Sequence, residues 1–139
     1  MAENQLQVRL VTPDRMLFDK TADAVEMPGK NGYLEVLFGA APLLTELGAG
    51  DLKIHGGEAG DERYFVAWGF AEVLPNRVTI LAESALKPEE IDTAAAQREL
   101  EEGQKMWNEA AEDPERYERA NERMHDAQAR LDSARSGGR

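Results

Sequence analysis

The side chains that could form a nucleophilic catalytic site in this chain are few. A triad of serine, histidine and acid would have to combine Ser84, Ser133 or Ser136 with His55 or His125. Of the three serines, only Ser84 lies near a segment that is expected to have fixed structure, and a triad needs hydrogen bonds between all of its members. The sequence therefore predicts no serine hydrolase chemistry.

The sequence also has few residues that could form another kind of catalytic site or a metal site. Glu72 and Glu83 lie in candidate strands, where they could form an acid and base pair or serve as charges at an edge or interface. His55 and His125 are expected on the solvated surface, have no second ligand at a metal-binding spacing, and the chain has no cysteine. No glycine-rich phosphate loop follows a strand and opens a helix. We expect no catalytic residue and no metal site.

The composition is that of a folded and acidic protein. Hydrophobic residues make up 42% and charged residues 31% of the 139 residues, and the formal net charge is −11. This charge makes binding to a nucleic acid backbone unfavourable. No apolar run reaches the roughly 18 residues of a membrane span, and residues 1–5 lack the basic and apolar regions of a secretory signal. We expect a chain that stays in the cytoplasm, with no direct membrane insertion.

The first 86 residues have the period-two hydrophobic pattern of short β-strands, with glycine or proline between the apolar segments. In the first candidate strand, Leu6, Val8 and Leu10 alternate with polar residues. The candidate strands are residues 6–10, 16–18, 24–27, 33–37, 52–55, 63–66, 71–74 and 77–82. Because no helical segment lies between them to make parallel crossovers, they predict a mostly antiparallel β-sandwich.

From Pro88 onward the apolar period becomes helical, and proline fits the first turn of a helix. Asp113 and Pro114 then provide an N-cap and a first position for a second helix. The apolar stripe of the first helix is Ala96, Leu100, Gly103, Trp107 and Ala110. That of the second is Tyr117, Ala120, Met124, Ala127, Leu131 and Ala134. Because at least half of each stripe is alanine or glycine, and Gly103 allows close approach of a backbone, we expect a tight helical hairpin with little buried apolar area.

The helical region has two arms of different charge. Between Lys87 and Glu115 ten acidic residues accompany three basic ones, whereas from Arg116 onward six arginines outnumber four acidic residues. Two such helices attract each other when they fold together. The second helix can also meet an acidic surface of a partner, and its candidate contact residues are Arg116, Arg119, Arg123 and Arg130.

Several segments resemble the epsilon subunit of bacterial F-type ATP synthases. The longest is VAWGFAEVLPNRVTILAESA at residues 66–85, supported by LVTPDR at 10–15, GAAPLLT at 39–45 and Ile91-Asp92. The resemblance implies that residues 1–86 form a ten-stranded β-sandwich that binds the gamma subunit and the membrane-embedded c-ring. It further implies that residues 87–139 are a two-helix regulatory domain, which folds on the sandwich or extends into the catalytic hexamer, where it restrains ATP hydrolysis.

The resemblance assigns the contact with gamma and the c-ring to residues 32–44. The family has Gly-x-Leu-Gly-Val-Leu-Pro-Gly-His-Ala-Pro-Leu-Leu where this chain has GYLEVLFGAAPLL, so the chemistry of the contact is altered. Exposed Tyr33 and Phe38 would suit a role as buried anchors of an interface. The interface residues that we expect are Tyr33, Glu35, Phe38, Ala40, Pro42 and Leu43.

Some bacterial members of the family bind ATP through an Ile/Leu-Asp-x-x-Arg-Ala motif at the start of the first helix. Ile91 and Asp92 match this motif and are the nucleotide-binding candidates. Ala95 replaces the arginine that would pair with phosphate, which argues against ATP as a ligand.

The sequence is interpreted as a non-catalytic rotor subunit of the central stalk that couples proton translocation to ATP synthesis and restrains ATP hydrolysis through its helices. A regulatory protein that senses ATP at the helical hairpin is the alternative. The expected partners are the gamma subunit, the c-ring and the alpha/beta hexamer. No cofactor is expected, and the expected location is the cytoplasmic face of the bacterial inner membrane, as a peripheral subunit.

Overall fold

The structure is a computed structural model that describes residues 4–137, apart from the side chain of Ala59. Residues 1–3 lie outside this range, and they belong to the segment that was expected above to be no secretory signal. The chain divides into two compact units, Met1–Lys87 and Pro88–Arg139, and each is described by itself. In the described range no helix is both long and apolar enough to cross a membrane.

The first unit is a β-sandwich, as predicted. Its strands within the described range are β1 Leu6–Val11, β2 Met16–Ala22, β3 Ala24–Gly29, β4 Gly32–Leu37, β5 Leu43–Glu46, β6 Ala49–His55, β7 Glu62–Leu74 and β8 Arg77–Leu86. Neighbouring strands are antiparallel except for β1 and β8, which pair in parallel. A single 3-10 turn, Gly57–Ala59, lies between β6 and β7.

Long strands run through both layers of the sandwich. β7 pairs with β5 and then with β6 in one continuous register, from Val73 opposite Leu43 to Glu62 opposite Ile54. β8 follows β7 along its length. The strands form one continuous hydrogen-bonded sheet in the order β2-β1-β8-β7-β6-β3-β4, with β5 also paired to β7. We call the part made of β2, β1, β5 and the adjoining segments of β8 and β7 layer A, and the part made of β6, β3, β4 and the other segments of β8 and β7 layer B. The eight continuous strands thereby supply five segments to each layer, which reconciles them with the ten strands that the resemblance implied.

β7 bends between the two layers at Trp68 and Gly69. Their backbone φ angles are 61° and 113°, both in the region that favours glycine. A side chain at Gly69 would collide with the carbonyl oxygen of Leu81 on β8. The prediction of two separate strands, residues 63–66 and 71–74, was wrong, because Gly69 bends a single strand instead of ending it.

The core follows the predicted alternation in β1. Leu6, Val8 and Leu10 are completely buried, and Ile80 of β8, which lies opposite Leu10, is also fully buried. β5 was missed by the sequence analysis. Its four residues show no alternation of burial, and Leu43 is itself exposed, so periodicity gives no signal there.

The second unit consists of two helices, α1 Thr93–Glu109 and α2 Pro114–Gly137, after a 3-10 turn at Pro88–Glu90. The predicted helix start at Pro88 was wrong. Asp92 has an extended backbone, and its carboxylate accepts a hydrogen bond of 3.0 Å from the amide of Ala95, so it is the N-cap of α1. α2 begins at Pro114, as predicted, with an Asp113 carboxylate oxygen 3.0 Å from the amide of Glu115.

The helices form the expected hairpin with small residues at its seam. Gly103 is buried, and a Cβ atom at this position would lie 2.6 Å from Cγ of Met124. Trp107 is 39% exposed at the edge of the seam, where its ring makes an edge contact with Tyr117 at 4.7 Å between ring centroids. The other buried seam residues are Ala96, Ala110, Ala120 and Ala127. The seam therefore brings the two backbones close while burying few large side chains.

Candidate functional site

A row of apolar side chains crosses the outward face of layer A. Val11 lies opposite Met16 of β2 and opposite Leu81 of β8, and Leu81 lies opposite Phe70 of β7. Met16, Leu81 and Phe70 are exposed by 51%, 51% and 49%. The residues that alternate with them face the core. We call Met16, Val11, Leu81 and Phe70 the apolar row.

A second exposed apolar region follows β4 and continues into β5. Leu37 is 55%, Phe38 43% and Leu44 70% exposed. The segment is fixed to the turn between β7 and β8, because the amide of Gly39 donates a hydrogen bond of 2.7 Å to the carbonyl of Pro75. Of the expected interface residues in this segment, Phe38, Pro42 and Leu43 are exposed, and Ala40 packs partly against the core.

Tyr33 and Glu35 lie on β4, at the edge of layer B. Tyr33 is 60% exposed, and its hydroxyl accepts a hydrogen bond of 2.9 Å from the amide of Asp51 on β6. The hydroxyl end of Tyr33 lies over Gly50, where a Cβ atom would collide with it. The exposed Glu35 lies opposite Glu26. The six expected interface residues therefore lie on one edge strand and on the segment that follows it.

Three of the four candidate arginines of α2 already have partners within the helical unit. The guanidinium of Arg123 donates two hydrogen bonds to Glu99 of α1, at 2.7 and 3.0 Å. These bonds lower the pKa of Glu99 and raise the pKa of Arg123. Arg130 pairs with Asp126, and Arg116 lies 3.5 Å from Asp113. Arg119 is exposed. The attraction expected between the two arms is thus realised in the contact of Arg123 with Glu99, whereas Arg130 and Arg116 pair with acidic residues in or next to α2 itself.

The residues considered for catalysis are not brought together as a site. Glu72 and Glu83 are both exposed, so they do not form a buried carboxylate pair. His55 keeps 38% of its side chain exposed, and its Nε2 lies 3.2 Å from a carboxylate oxygen of Glu26. The described residues contain no group of three potential metal ligands. Asp92, the nucleotide candidate beside Ile91, is engaged as a helix cap.

Comparison with known proteins decides the family. The β-sandwich domain of the ATP synthase delta/epsilon chain matches residues 5–88. The ATP synthase epsilon chain of Synechococcus is 37% identical over 134 residues, which cover 94% of this chain and 88% of the relative. The chain belongs to the ATP synthase epsilon chain family. It is therefore a non-catalytic stalk subunit of an F-type ATP synthase rather than an enzyme in itself.

Further relatives agree with this membership. The epsilon chain of Koribacter versatilis is 51% identical over 92 residues, which cover 66% of this chain and 63% of the relative. Among solved structures, a chain of the Euglena gracilis mitochondrial ATP synthase, described as OSCP/F1/c-ring in rotational state 1, has the same fold. Its TM-score is 0.78 at 23% identity, over 96% of this chain and 83% of that one. The fold and the family expected from the epsilon resemblance are confirmed.

The apolar row was missed by the sequence analysis, although the sequence holds a signal for it. In β8 the alternation that buries Val78 and Ile80 directs Leu81 outward, to a position where a polar residue is usual. Phe70 is likewise the exposed neighbour of the buried Ala71 in β7. An apolar residue at an outward position of a strand was the available signal.

Proposed function

We propose that the β-sandwich of this chain binds the gamma subunit and the c-ring, and so forms part of the rotor that couples proton translocation to ATP synthesis. The observation that carries the proposal is the apolar row on layer A. Soluble proteins seldom leave several large apolar side chains exposed side by side unless a partner covers them. Family membership gives the class of partner, since an epsilon chain is a stalk subunit.

The surroundings of the apolar row resemble the edge of a protein interface. The next row outward on layer A is polar, with Arg9, Asp19, Thr79 and Glu72 in register across four strands. Beyond Glu72 the row ends at Leu44, which is 70% exposed. An apolar centre with a polar border is the usual composition of a protein–protein contact. We assign the apolar row and Leu44 to the contact with gamma.

The second exposed region is assigned to the c-ring and the adjoining part of gamma. It contains the expected interface residues Tyr33, Glu35, Phe38, Ala40, Pro42 and Leu43. The backbone of this segment is fixed at Gly39, and the Tyr33 hydroxyl is bound to β6. Anchors that are ordered before binding lose less conformational entropy when the complex forms. This ordering supports Phe38 and Tyr33 as the anchors.

Binding of gamma tests the first assignment. Phe70→Glu places a charge at the β7 end of the apolar row, beside Glu46 of β5, while the side chain stays outside the core. We expect its affinity for gamma to fall by at least about tenfold, the scale of an interface hot spot. Asn121→Glu adds the same charge at an exposed position of α2 and should bind gamma like the wild type. Equal affinities of the two variants would contradict the assignment.

We assign restraint of ATP hydrolysis to the helices, through contacts of Arg116, Arg119, Arg123 and Arg130 with acidic residues of the alpha/beta hexamer. The change of charge between the two arms supports this assignment. Truncation after Leu86 should raise ATP hydrolysis by the assembled synthase while gamma binding is retained. Unchanged hydrolysis at full assembly would count against the restraint. The location that follows is peripheral, at the cytoplasmic face of the bacterial inner membrane.

No feature of the described residues favours the alternative function, an ATP sensor. The carboxylate of Asp92 caps α1, and Ala95 supplies no cation for phosphate. The rotor function is therefore preferred.

A further inference from the structure

The contact between Glu99 and Arg123 joins the two helices at a single well-defined point. Both carboxylate oxygens of Glu99 accept a hydrogen bond, from Nε at 2.7 Å and from Nη2 at 3.0 Å. Nη1 of the same guanidinium lies 3.1 Å from the sulfur of Met106, also on α1. Three of the five N–H donors of Arg123 therefore point at α1, and these three cannot serve another partner while the hairpin stays closed in this way.

The electrostatic environment reinforces the pair. The charges of Arg98 and Arg130 favour the ionised form of Glu99, and Glu102 favours the charged form of Arg123. The two side chains are still partly exposed, by 52% for Glu99 and 37% for Arg123. An exposed pair of this kind is weak enough to be exchanged for another carboxylate.

Because of the composition of the rest of the hairpin seam, the pair of Glu99 and Arg123 contributes a large share of the stability of the closed hairpin. The buried seam residues are alanines and one glycine, so little apolar area holds α1 and α2 together. Loss of a single polar contact can therefore shift the equilibrium between the closed and the open hairpin by a few-fold. The pair also has defined geometry, because a two-bond fork fixes the orientation of the guanidinium.

We propose that Glu99 is a latch, an internal carboxylate that occupies Arg123 in the closed hairpin and competes for it with a carboxylate of the acidic partner of α2. Arg123 is then presented to the partner only when the hairpin opens. The strength of the latch sets the fraction of chains that can restrain hydrolysis. This inference rests on the restraint assigned to the helices above.

The latch can be measured first in the isolated full-length chain. Because the chain has no cysteine, spin labels can be placed specifically at Ala94→Cys and Gln128→Cys, two exposed positions on α1 and α2. Antiparallel packing with Glu99 opposite Arg123 puts these positions at the same level. In Glu99→Gln we expect the population with long label distances to grow about two- to fivefold. Glu101→Gln, the matched loss of charge on α1, should leave the distances unchanged.

A charge-reversed double variant separates the latch from contact with the partner. Glu99→Arg combined with Arg123→Glu rebuilds the pair in the opposite sense, so the label distances should move back toward those of the wild type. The return should be incomplete, because Arg98 and Arg130 then surround a cation and Glu102 lies near a carboxylate. It also removes the arginine that the acidic partner would bind. In the assembled synthase we therefore expect Glu99→Gln to lower ATP hydrolysis and the double variant to relieve the restraint.

The possible outcomes are distinct. If Glu99→Gln and Glu101→Gln give the same distances, or if the double variant stays open, the latch is overturned. If Glu99→Gln opens the hairpin and the double variant closes it, the latch is supported. If opening then leaves hydrolysis unchanged, the restraint assigned to the helices is wrong while the latch still stands.

Discussion

Gly103 of α1 lies so close to α2 that a Cβ atom at this position would be 2.6 Å from Cγ of Met124 and 3.3 Å from its amide nitrogen. The glycine costs α1 about 1 kcal/mol in helix propensity relative to alanine. The hairpin therefore gives up stability of the single helix to gain close approach of its two helices.

Gly103→Ala should separate these two effects. We expect α1 to gain about 1 kcal/mol in helix propensity, while overpacking against Met124 costs the hairpin about 1–3 kcal/mol. Circular dichroism should show undiminished helix content, and spin labels at positions 94 and 128 should show a longer distance. A shorter or unchanged distance would show that the hairpin can absorb a methyl group.

The stability of the hairpin should depend on pH through Glu99. Its pKa is lower in the folded chain, chiefly because of the hydrogen bonds from Arg123. The stabilisation is therefore complete above the ordinary glutamate pKa of about 4.3. It is lost as the pH falls through the lowered folded-state pKa.

For an exposed pair the loss is at most about 1 kcal/mol. Label distances between positions 94 and 128, recorded on lowering the pH from about neutral to about 3, should show the hairpin opening. In Glu99→Gln this part of the pH dependence should be missing. A variant that opens over the same pH range as the wild type would assign the effect to other carboxylates.

The bend of β7 makes Gly69 sensitive to substitution. In Gly69→Ala the new methyl group would meet the carbonyl of Leu81 at a φ of 113°, so β7 and β8 would have to separate. We expect a loss of more than about 2 kcal/mol in the free energy of unfolding. Gly60→Ala is the matched control, since its φ is also positive but the space around it is open. Chemical denaturation should show a loss of only about 1 kcal/mol for the control.

The hydroxyl of Tyr33 should hold the ring in place before binding, whereas the ring itself makes the contact with the partner. Tyr33→Phe keeps the ring but removes the hydrogen bond from the Asp51 amide, which should cost about 0.5–1.5 kcal/mol of folding stability. Dissociation of the chain from the assembled synthase should be faster in this variant, and faster again in Tyr33→Ala, which removes the whole anchor. If Tyr33→Phe dissociates like the wild type, the tether to β6 does not contribute to binding.

Much of the fold could be predicted because its hydrophobic periods are regular. Leu6, Val8 and Leu10 specify a strand, and the three- and four-residue spacing from Tyr117 to Ala134 specifies a helix. The start of α1 could not be read from Pro88, because proline only permits a helical turn, whereas the carboxylate of Asp92 satisfies a free amide of the helix.

The candidate surface was less predictable than the fold. The segment from Tyr33 to Leu43 was found through resemblance to a family, not through a physical signal of its own. The apolar row is assembled from four strands that are far apart in sequence, and only the strand register brings Met16, Leu81 and Phe70 into one line. Register depends on tertiary packing and bends, which periodicity alone does not report.

The continuous register of β7 with β5 and β6, and of β8 with β7, has a mechanical consequence. Sliding of layer A over layer B would have to bend or stretch β7 and β8, the two paired strands that belong to both layers. A twisting load applied at one layer is therefore passed to the other through these two strands. The sandwich should respond to torque as one stiff body, which suits a part that turns with a shaft.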